Sequence, residues 1–267
     1  MELNGKVAIV TGGASGIGRA LALAFADAGA AGVAVADLDG AGAAAVAAEI
    51  GERAIGVACD VGDDEDNGAL IDAARAAFGP VDVFCANAGI GGGGDLLEVD
   101  DDAWVRAYAV NVDAHVFAAR RLLPDWLERG EGYFLSTASA AGLLTQIGSA
   151  PYSVTKHAAV AFAEYLAITY GGRGIRVSCL CPMGVNTPLL AGDGSKAAAV
   201  ATAVVRSAGM VLEPEQVAEL VVQAIGDERF LVLPHLEVEE FYRRKGDDHE
   251  RWLAGMRRLR AAVDAQT

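Results

Sequence analysis

An apolar run over residues 6–10 ends in Thr11, Gly12, Gly13, Ala14, Ser15, Gly16, Ile17 and Gly18, and a helical pattern over 19–29 follows at once. A strand that turns through glycines straight into a helix has few uses, because it brings bare backbone amides and the positive end of the helix to one point. Gly12, Gly16 and Gly18 would let a pyrophosphate come against the backbone there, although glycines alone fit any tight turn. Asp37 narrows the choice. It ends the second apolar run, 19 residues after Gly18, where a carboxylate can accept hydrogen bonds from both ribose hydroxyls of an adenosine. A 2′-phosphate would meet a like charge at that place. At about 4 Å in a semi-exposed site the repulsion is on the order of 2 to 4 kcal/mol, roughly a 30- to 700-fold preference, so NAD is expected ahead of NADP. The plainer reading of Asp37 is a solvated strand-end carboxylate or a helix cap. Arg19, in the first turn, is either a phosphate partner or a solvated cation.

The rest of the chain repeats the alternation of strand and helix. Strands are expected over 6–10, 32–36, 54–59, 81–86, 132–136, 176–181 and 230–233, separated by Ala-rich stretches long enough for crossover helices. Several are apolar throughout, as in a sheet covered on both faces. The expected fold is α/β: a doubly wound, seven-stranded parallel sheet with helices on both faces, in one domain over 1–240 followed by a tail over 241–267. The glycine-rich stretches from Gly91 to Gly94 and from Gly192 to Gly194 fall just after strands, where such sheets place ligand loops. Cys59, Cys85, Cys179 and Cys181 lie in apolar runs without C-x-x-C pairing, so no metal site and no disulfide framework is expected. Lys and Arg total 21 against 36 Asp and Glu, a formal charge of −15 that argues against nucleic acid as a partner. No uncharged stretch suits a bilayer or a signal peptide, which points to the cytoplasm and away from membranes.

Tyr152 and Lys156 lie four apart in a stretch, 152–170, that reads as a helix, so they share a face. A tyrosine of pKa near 10 must lose about three units, worth about 4 kcal/mol, to exchange a proton near neutrality. One neighbouring ammonium supplies that order of energy in a partly exposed site. Lysine is scarce here, with Lys6, Lys156, Lys196 and Lys245 set against 17 arginines, although the spacing by itself is common. Ser139 stands 13 residues before Tyr152, just after the fifth apolar run. Its hydroxyl either donates to a substrate carbonyl oxygen or serves a turn.

In this order and spacing, the glycine turn, Asp37, Ser139, Tyr152 and Lys156 resemble those of the short-chain dehydrogenases/reductases of single-domain type, over about residues 3–234. Asp60 and Val61 match the family's adenine contacts, Asn87, Ala88 and Gly89 follow the fourth strand, and Asn111 falls in the next helix. Pro182, Gly184, Val185 and Thr187 follow the sixth. The resemblance implies a Rossmann sheet and hydride transfer between a nicotinamide and a carbonyl or alcohol. It implies a cofactor held by Gly12, Ser15, Gly16, Ile17, Gly18 and Asp37 at one end, with Val185 and Thr187 at its carboxamide. Tyr152 would be the acid in reduction and the base in oxidation, and Lys156 would hold the nicotinamide ribose and lower the tyrosine pKa. Ser139 would position the carbonyl, and Asn111 would hold a proton-relaying water, its plainer alternative being a helix asparagine bonded to backbone. Two positions depart from the family: Ala86 stands where Asn is usual, and Met183 where Gly is usual, filling space with a thioether.

Substrate choice is expected in the loops over 90–95, 143–147 and 183–210. Leu143, Leu144, Ile147, Met183, Leu189 and Leu190 suggest a hydrophobic secondary alcohol or carbonyl compound, while Lys196 or Arg206 could meet the carboxylate of a keto acid. The expectation is an NAD-dependent alcohol dehydrogenase or carbonyl reductase. Its rivals are an NADPH-dependent acyl-thioester ketoreductase and a non-catalytic dinucleotide sensor or scaffold. The tail, 241–267, holds seven Lys or Arg against four Asp or Glu, and Trp252, Met256, Leu259 and Val263 recur at helical spacing. That pattern reads as a basic amphipathic helix packed on the body or on a neighbouring copy, and the resemblance implies a homo-oligomer, tetramer or dimer. His115 and His157 read as structural, and His235 and His249 carry no motif.

Overall fold

Successive side chains of a strand point to opposite faces, and in β1 (Val7–Thr11) both directions are buried: Val7 and Ile9 enter one core, Ala8 and Val10 the other. The continuous apolar runs of the sequence have this cause. The computed structural model describes residues 1–91, 94, 96–192, 194 and 196–265. From β1 the chain passes through α1 (Gly16–Asp27) to β2 (Gly32–Asp37), through α2 (Gly40–Ile50) to β3 (Ala54–Ala58), and through α3 (Asp64–Phe78) to β4 (Val83–Ala86). Helices α4 (Asp101–Tyr108) and α5 (Ala114–Arg129) lead to β5 (Gly132–Thr137); α6 (Ala141–Leu144) and α7 (Ala150–Tyr170) lead to β6 (Ile175–Leu180). Then α8 (Pro188–Ala191), α9 (Lys196–Ala208) and α10 (Pro214–Gly226) precede β7 (Leu231–Val232), and α11 (Leu236–Asp247) and α12 (His249–Asp264) follow it.

The seven strands form one parallel sheet in the order β3-β2-β1-β4-β5-β6-β7, each within two residues of its expected bounds. The order reverses between β1 and β4, so their connections leave to opposite faces and a crevice opens at their C-terminal ends. Helix caps single out the same spot. Asp39, Asp63 and Asp100 each accept from first-turn amides of α2, α3 and α4, whereas Ser15 makes no side-chain cap to α1. The first amides of α1 are thus left to whatever enters the crevice.

Between α4 and α5 the helix widens to a single π turn, Ala109–Asp113, with Asn111 fully buried in it. A turn of this kind re-aims the residues it carries. The tail is two helices broken at Asp248, where one amphipathic helix was expected, and residue 240 lies in the middle of α11. Val238 is fully buried, Phe241 and Trp252 pack against the core cluster, and Lys245 donates to the Leu143 carbonyl. Val263 and Leu259 cover Val200 and Val204 of α9. Trp252, Leu259 and Val263 of the apolar stripe thus pack on the body of the same chain. Among the described residues no helix is long and apolar enough to cross a membrane.

Candidate active site

A cavity of about 610 Å³ opens at the C-terminal ends of β1, β2, β4, β5 and β6, within the size range of small-ligand sites. One end is walled by the glycine turn. Gly16 has φ +52°, and a Cβ there would lie 2.9 Å from Thr187 Cγ2, while a Cβ at Gly18 would lie 2.0 Å from the Gly12 carbonyl oxygen. Only glycine fits either place. Asp37 accepts from the Ala14 amide through Oδ2 and from the Asp39 amide through Oδ1, both at 3.0 Å, which fixes the carboxylate on the cavity rim. Arg19 is not left free beside it, because its guanidinium pairs with Glu49 at 2.7 Å. Asp60 and Val61 lie on the same rim, and Asn87, Ala88 and Gly89 form the floor between β4 and β1.

That floor is tied by Thr11, a residue the sequence reading gave no role. Its buried hydroxyl donates to the Cys85 carbonyl and accepts from the Asn87 and Ala88 amides at 3.0 Å, and Asn87 donates back to the Thr11 carbonyl. The threonine that begins the turn therefore also joins the two strand ends at the crevice. Cradle, uncapped helix and rim carboxylate together fit the diphosphate and ribose of a dinucleotide.

The other end is organised by α7. Tyr152 and Lys156 share the cavity, with the Lys156 ammonium 5.6 Å from the Tyr152 ring centre and donating to the Thr137 carbonyl at 2.9 Å. Burial lowers the Lys156 pKa to about 8, against a smaller upward pull from Cys181 and Cys179. For Tyr152 the expected depression by lysine is not what the structure gives: burial raises its pKa, and the Ser139 hydroxyl offsets part of the rise. The cause is burial of the phenol itself, which outweighs the Ser139 hydrogen bond. Ser139 also accepts from the Ala141 amide at 3.1 Å, so turn service and a place beside Tyr152 belong to one hydroxyl.

Asn111 lies behind the cavity wall. Its Oδ1 accepts from the Ile90 amide and its Nδ2 donates to the Ile90 carbonyl and to Thr155 Oγ1. The side chain is thus fixed by the Ile90 backbone and by Thr155. A Cβ at Gly89 would sit 3.2 Å from Lys156 Nζ and 3.3 Å from Asn111 Oδ1, so lysine and asparagine converge beneath that glycine. Pro182, Val185 and Thr187 line the cavity; Gly184 stands just outside it, packed against Val205 and Val211.

On the substrate side Met183, Leu189 and Leu190 line the cavity as expected, joined by Ile90, Gln146, Thr202 and Val205. Leu143 and Leu144 do not. They are buried in the core because α6 packs tightly on α7, where a Cβ at Gly142 would come within 2.5 Å of the Lys156 carbonyl. Ile147 faces away too, into the cluster of Val200, Val204 and Val263. Gly92, Gly93 and Asp95 of the first glycine loop, Asp193 of the second and the side chain of Lys196 lie outside the described residues. Arg206 is exposed and off the cavity. Ala86 is simply buried in β4. All four cysteines are buried thiols. His157 bonds to the Ser153 carbonyl, and His115 sits buried on Ser136 with its pKa pushed down to about 3 by burial and by Lys156.

The model of the short chain dehydrogenase family matches residues 6–198. Among characterised proteins the chain is 39% identical over 256 residues to 1-deoxy-11-beta-hydroxypentalenate dehydrogenase of Streptomyces exfoliatus, covering 93% of this chain and 90% of that one. A short-chain dehydrogenase/reductase of Burkholderia phymatum, solved in complex with NAD, superposes with a TM-score of 0.85 at 32% identity, covering 94% of this chain and 96% of that one. The 3-ketoacyl-(acyl-carrier-protein) reductase of Brucella melitensis, complexed with NADH, superposes with a TM-score of 0.78 at 33% identity, covering 86% and 96%.

Proposed function

The chain belongs to the short-chain dehydrogenase family, and on that premise we propose that this oxidoreductase prefers NAD and acts on a hydrophobic secondary alcohol or its carbonyl counterpart, with Tyr152 as the acid and base. The observation that carries this reading is the single cavity with the glycine cradle and Asp37 at one end and Ser139, Tyr152 and Lys156 at the other.

The bound nicotinamide supplies or accepts the hydride at the carbon being reduced or oxidised. Gly12, Ser15, Gly16, Ile17 and Gly18 would hold the diphosphate, Asp37 the adenosine ribose, Asp60 and Val61 the adenine, and Asn87, Ala88 and Gly89 the middle of the cofactor. Pro182, Val185 and Thr187 would stand at the carboxamide, with Gly184 holding their loop from behind. Burial keeps the proton on Tyr152 at neutral pH, so the phenol is ready to give it to a substrate oxygen during reduction. In oxidation the phenol must first lose that proton, so the oxidative rate rises with pH. Ser139 orients the same oxygen. Lys156 titrates near 8 and touches the Thr137 carbonyl, which suits it to exchange the tyrosine's proton with solvent along the wall that Asn111 fixes.

Asp37 supports NAD through its charge, and the Arg19–Glu49 pair supports it by engaging the Arg19 guanidinium that could otherwise meet a 2′-phosphate. Among the described residues the substrate end of the cavity carries no Lys, Arg or His other than Lys156. This favours a neutral, apolar substrate over a phosphorylated or acyl-thioester one. Val154, Tyr165 and Ile168 are exposed apolar side chains on α7 and support association of copies of this chain. The test is NADH formation from NAD with aliphatic, aromatic and steroidal secondary alcohols, repeated with NADP and with Tyr152→Phe. Turnover that survives the substitution refutes the mechanism, and NADP preferred over NAD refutes the cofactor assignment. Tight NADH binding without turnover of any alcohol or ketone would favour the sensor reading.

A further inference from the structure

His235 precedes α11 and is 3% exposed, and both nitrogens of its ring are engaged. The Met183 amide donates to Nδ1 over 3.2 Å, and Nε2 lies 3.0 Å from the Gly184 carbonyl oxygen. A carbonyl only accepts and an amide N–H only donates, so Nε2 carries the proton and Nδ1 is bare. The ring is therefore the neutral Nε2–H tautomer.

The segment it grips is the one in which Met183 replaces the expected glycine. Its other ties include the Pro182 carbonyl, which accepts from the Ala140 amide at 2.8 Å and from the Ser139 hydroxyl at 3.5 Å, and the Gly184 carbonyl, which also accepts from the Leu212 amide at 2.9 Å. The Met183 thioether is accommodated because position 209 is glycine: a Cβ there would stand 2.7 Å from Met183 Cε. We propose that His235 is a positioning residue, whose neutral imidazole holds the 182–183 and 184–185 peptides that bracket Met183 and Gly184 and so sets the wall shared by Met183 and Val185. This rests on the reading of the cavity as a dinucleotide and alcohol site.

Protonation of Nδ1 would set a donor against the Met183 donor and release the segment. Burial resists this by holding the His235 pKa below its ordinary value, while the Gly184 and Met210 backbone and Glu237 pull it upward. Glu237 on α11 is the charged group that faces the ring among the described residues; the loop after β6 and the one after α9 face it with backbone.

The test compares the full chain with His235→Gln, a neutral amide with one donor and one acceptor, and His235→Phe, which fills the space without either. NADH affinity is followed by fluorescence from pH 4.5 to 8, with KM and kcat for an oxidised alcohol and thermal unfolding alongside. In His235→Phe at pH 8, NADH dissociation or alcohol KM should rise about tenfold with kcat within about threefold of wild type, and His235→Gln should recover most of that loss. Wild type should weaken at acid pH, and His235→Gln should lack that step. A His235→Phe protein that behaves as wild type, or an acid step that survives in His235→Gln, overturns the proposal. Should His235→Phe fail to fold, the glutamine profile decides. Nitrogen NMR of the ring in dinucleotide-free protein decides independently: Nδ1 protonated at pH 8 overturns the clamp. A wild type that binds no dinucleotide at all sinks the functional reading instead and leaves that NMR result standing.

Discussion

The two ends of the cavity are built from different materials. At the dinucleotide end the wall is backbone: the Gly12 to Gly18 turn, the amides of α1 and the Asn87 to Gly89 floor, each locked to a strand end by Thr11 or Asp37. At the opposite, substrate-facing end it is side chains, Met183, Leu189, Leu190, Thr202 and Val205, carried on a loop and two helices outside the sheet. A backbone wall cannot change shape without moving the sheet, whereas a side-chain wall changes with one substitution. One scaffold thus holds one ligand constant and leaves the other open to variation.

The sharpest way to break this contrast is Tyr152→Phe. Turnover should fall by about 10² to 10⁴ with NADH binding within about threefold of wild type by fluorescence; a matching loss of NADH affinity would mean that the ends are not separable. Gly18→Ala should do the reverse. Its Cβ has no room beside the Gly12 carbonyl, and NADH affinity should drop about 100-fold, since a misplacement of about 1 Å costs that much. Asp37→Asn keeps an acceptor for Ala14 but loses the charge. The ratio of kcat/KM for NAD over NADP should fall by an order of magnitude or more, reversing much of a 2 to 4 kcal/mol repulsion of roughly that size.

A perturbation from beneath should reach both ends alike. His115 titrates at about 3 when folded and near 6.5 when unfolded. The unfolded chain therefore takes the proton first, and stability falls with pH below 6.5, by about 2 kcal/mol at pH 5. His115→Gln should flatten that part of the profile in urea unfolding. The smallest effect belongs to the side-chain wall: Leu189→Ala should change preference between a bulky and a small substrate about tenfold, with NADH affinity unmoved.

The same division decides what could be read from residue order. Each part of the dinucleotide end lies within a few contiguous residues, so a glycine turn or a strand-end carboxylate announces itself locally. Strands were legible because burial on both faces leaves an unbroken apolar run. The side-chain wall is assembled over long distances. Leu143 and Leu144 look like Leu189 and Leu190 in sequence, and only the close packing of α6 on α7 sends the first pair into the core. Gln146 and Thr202 carry no local signal for the cavity they line. The direction of the Tyr152 shift was missed because four-residue spacing places a lysine but says nothing of how far both groups are desolvated. Thr11 and His235 act through bonds to segments 74 to 77 and 51 to 52 residues away.

The packing of Leu259 and Val263 onto Val200 and Val204 also imposes an order in time. A chain is synthesised and folds from its N-terminus, so the glycine cradle and the β1 to β4 floor have all their parts early. The outer face of α9 stays bare until residues near 263 have left the ribosome. During that interval the apolar face of α9 is open to solvent and to any chaperone that waits there.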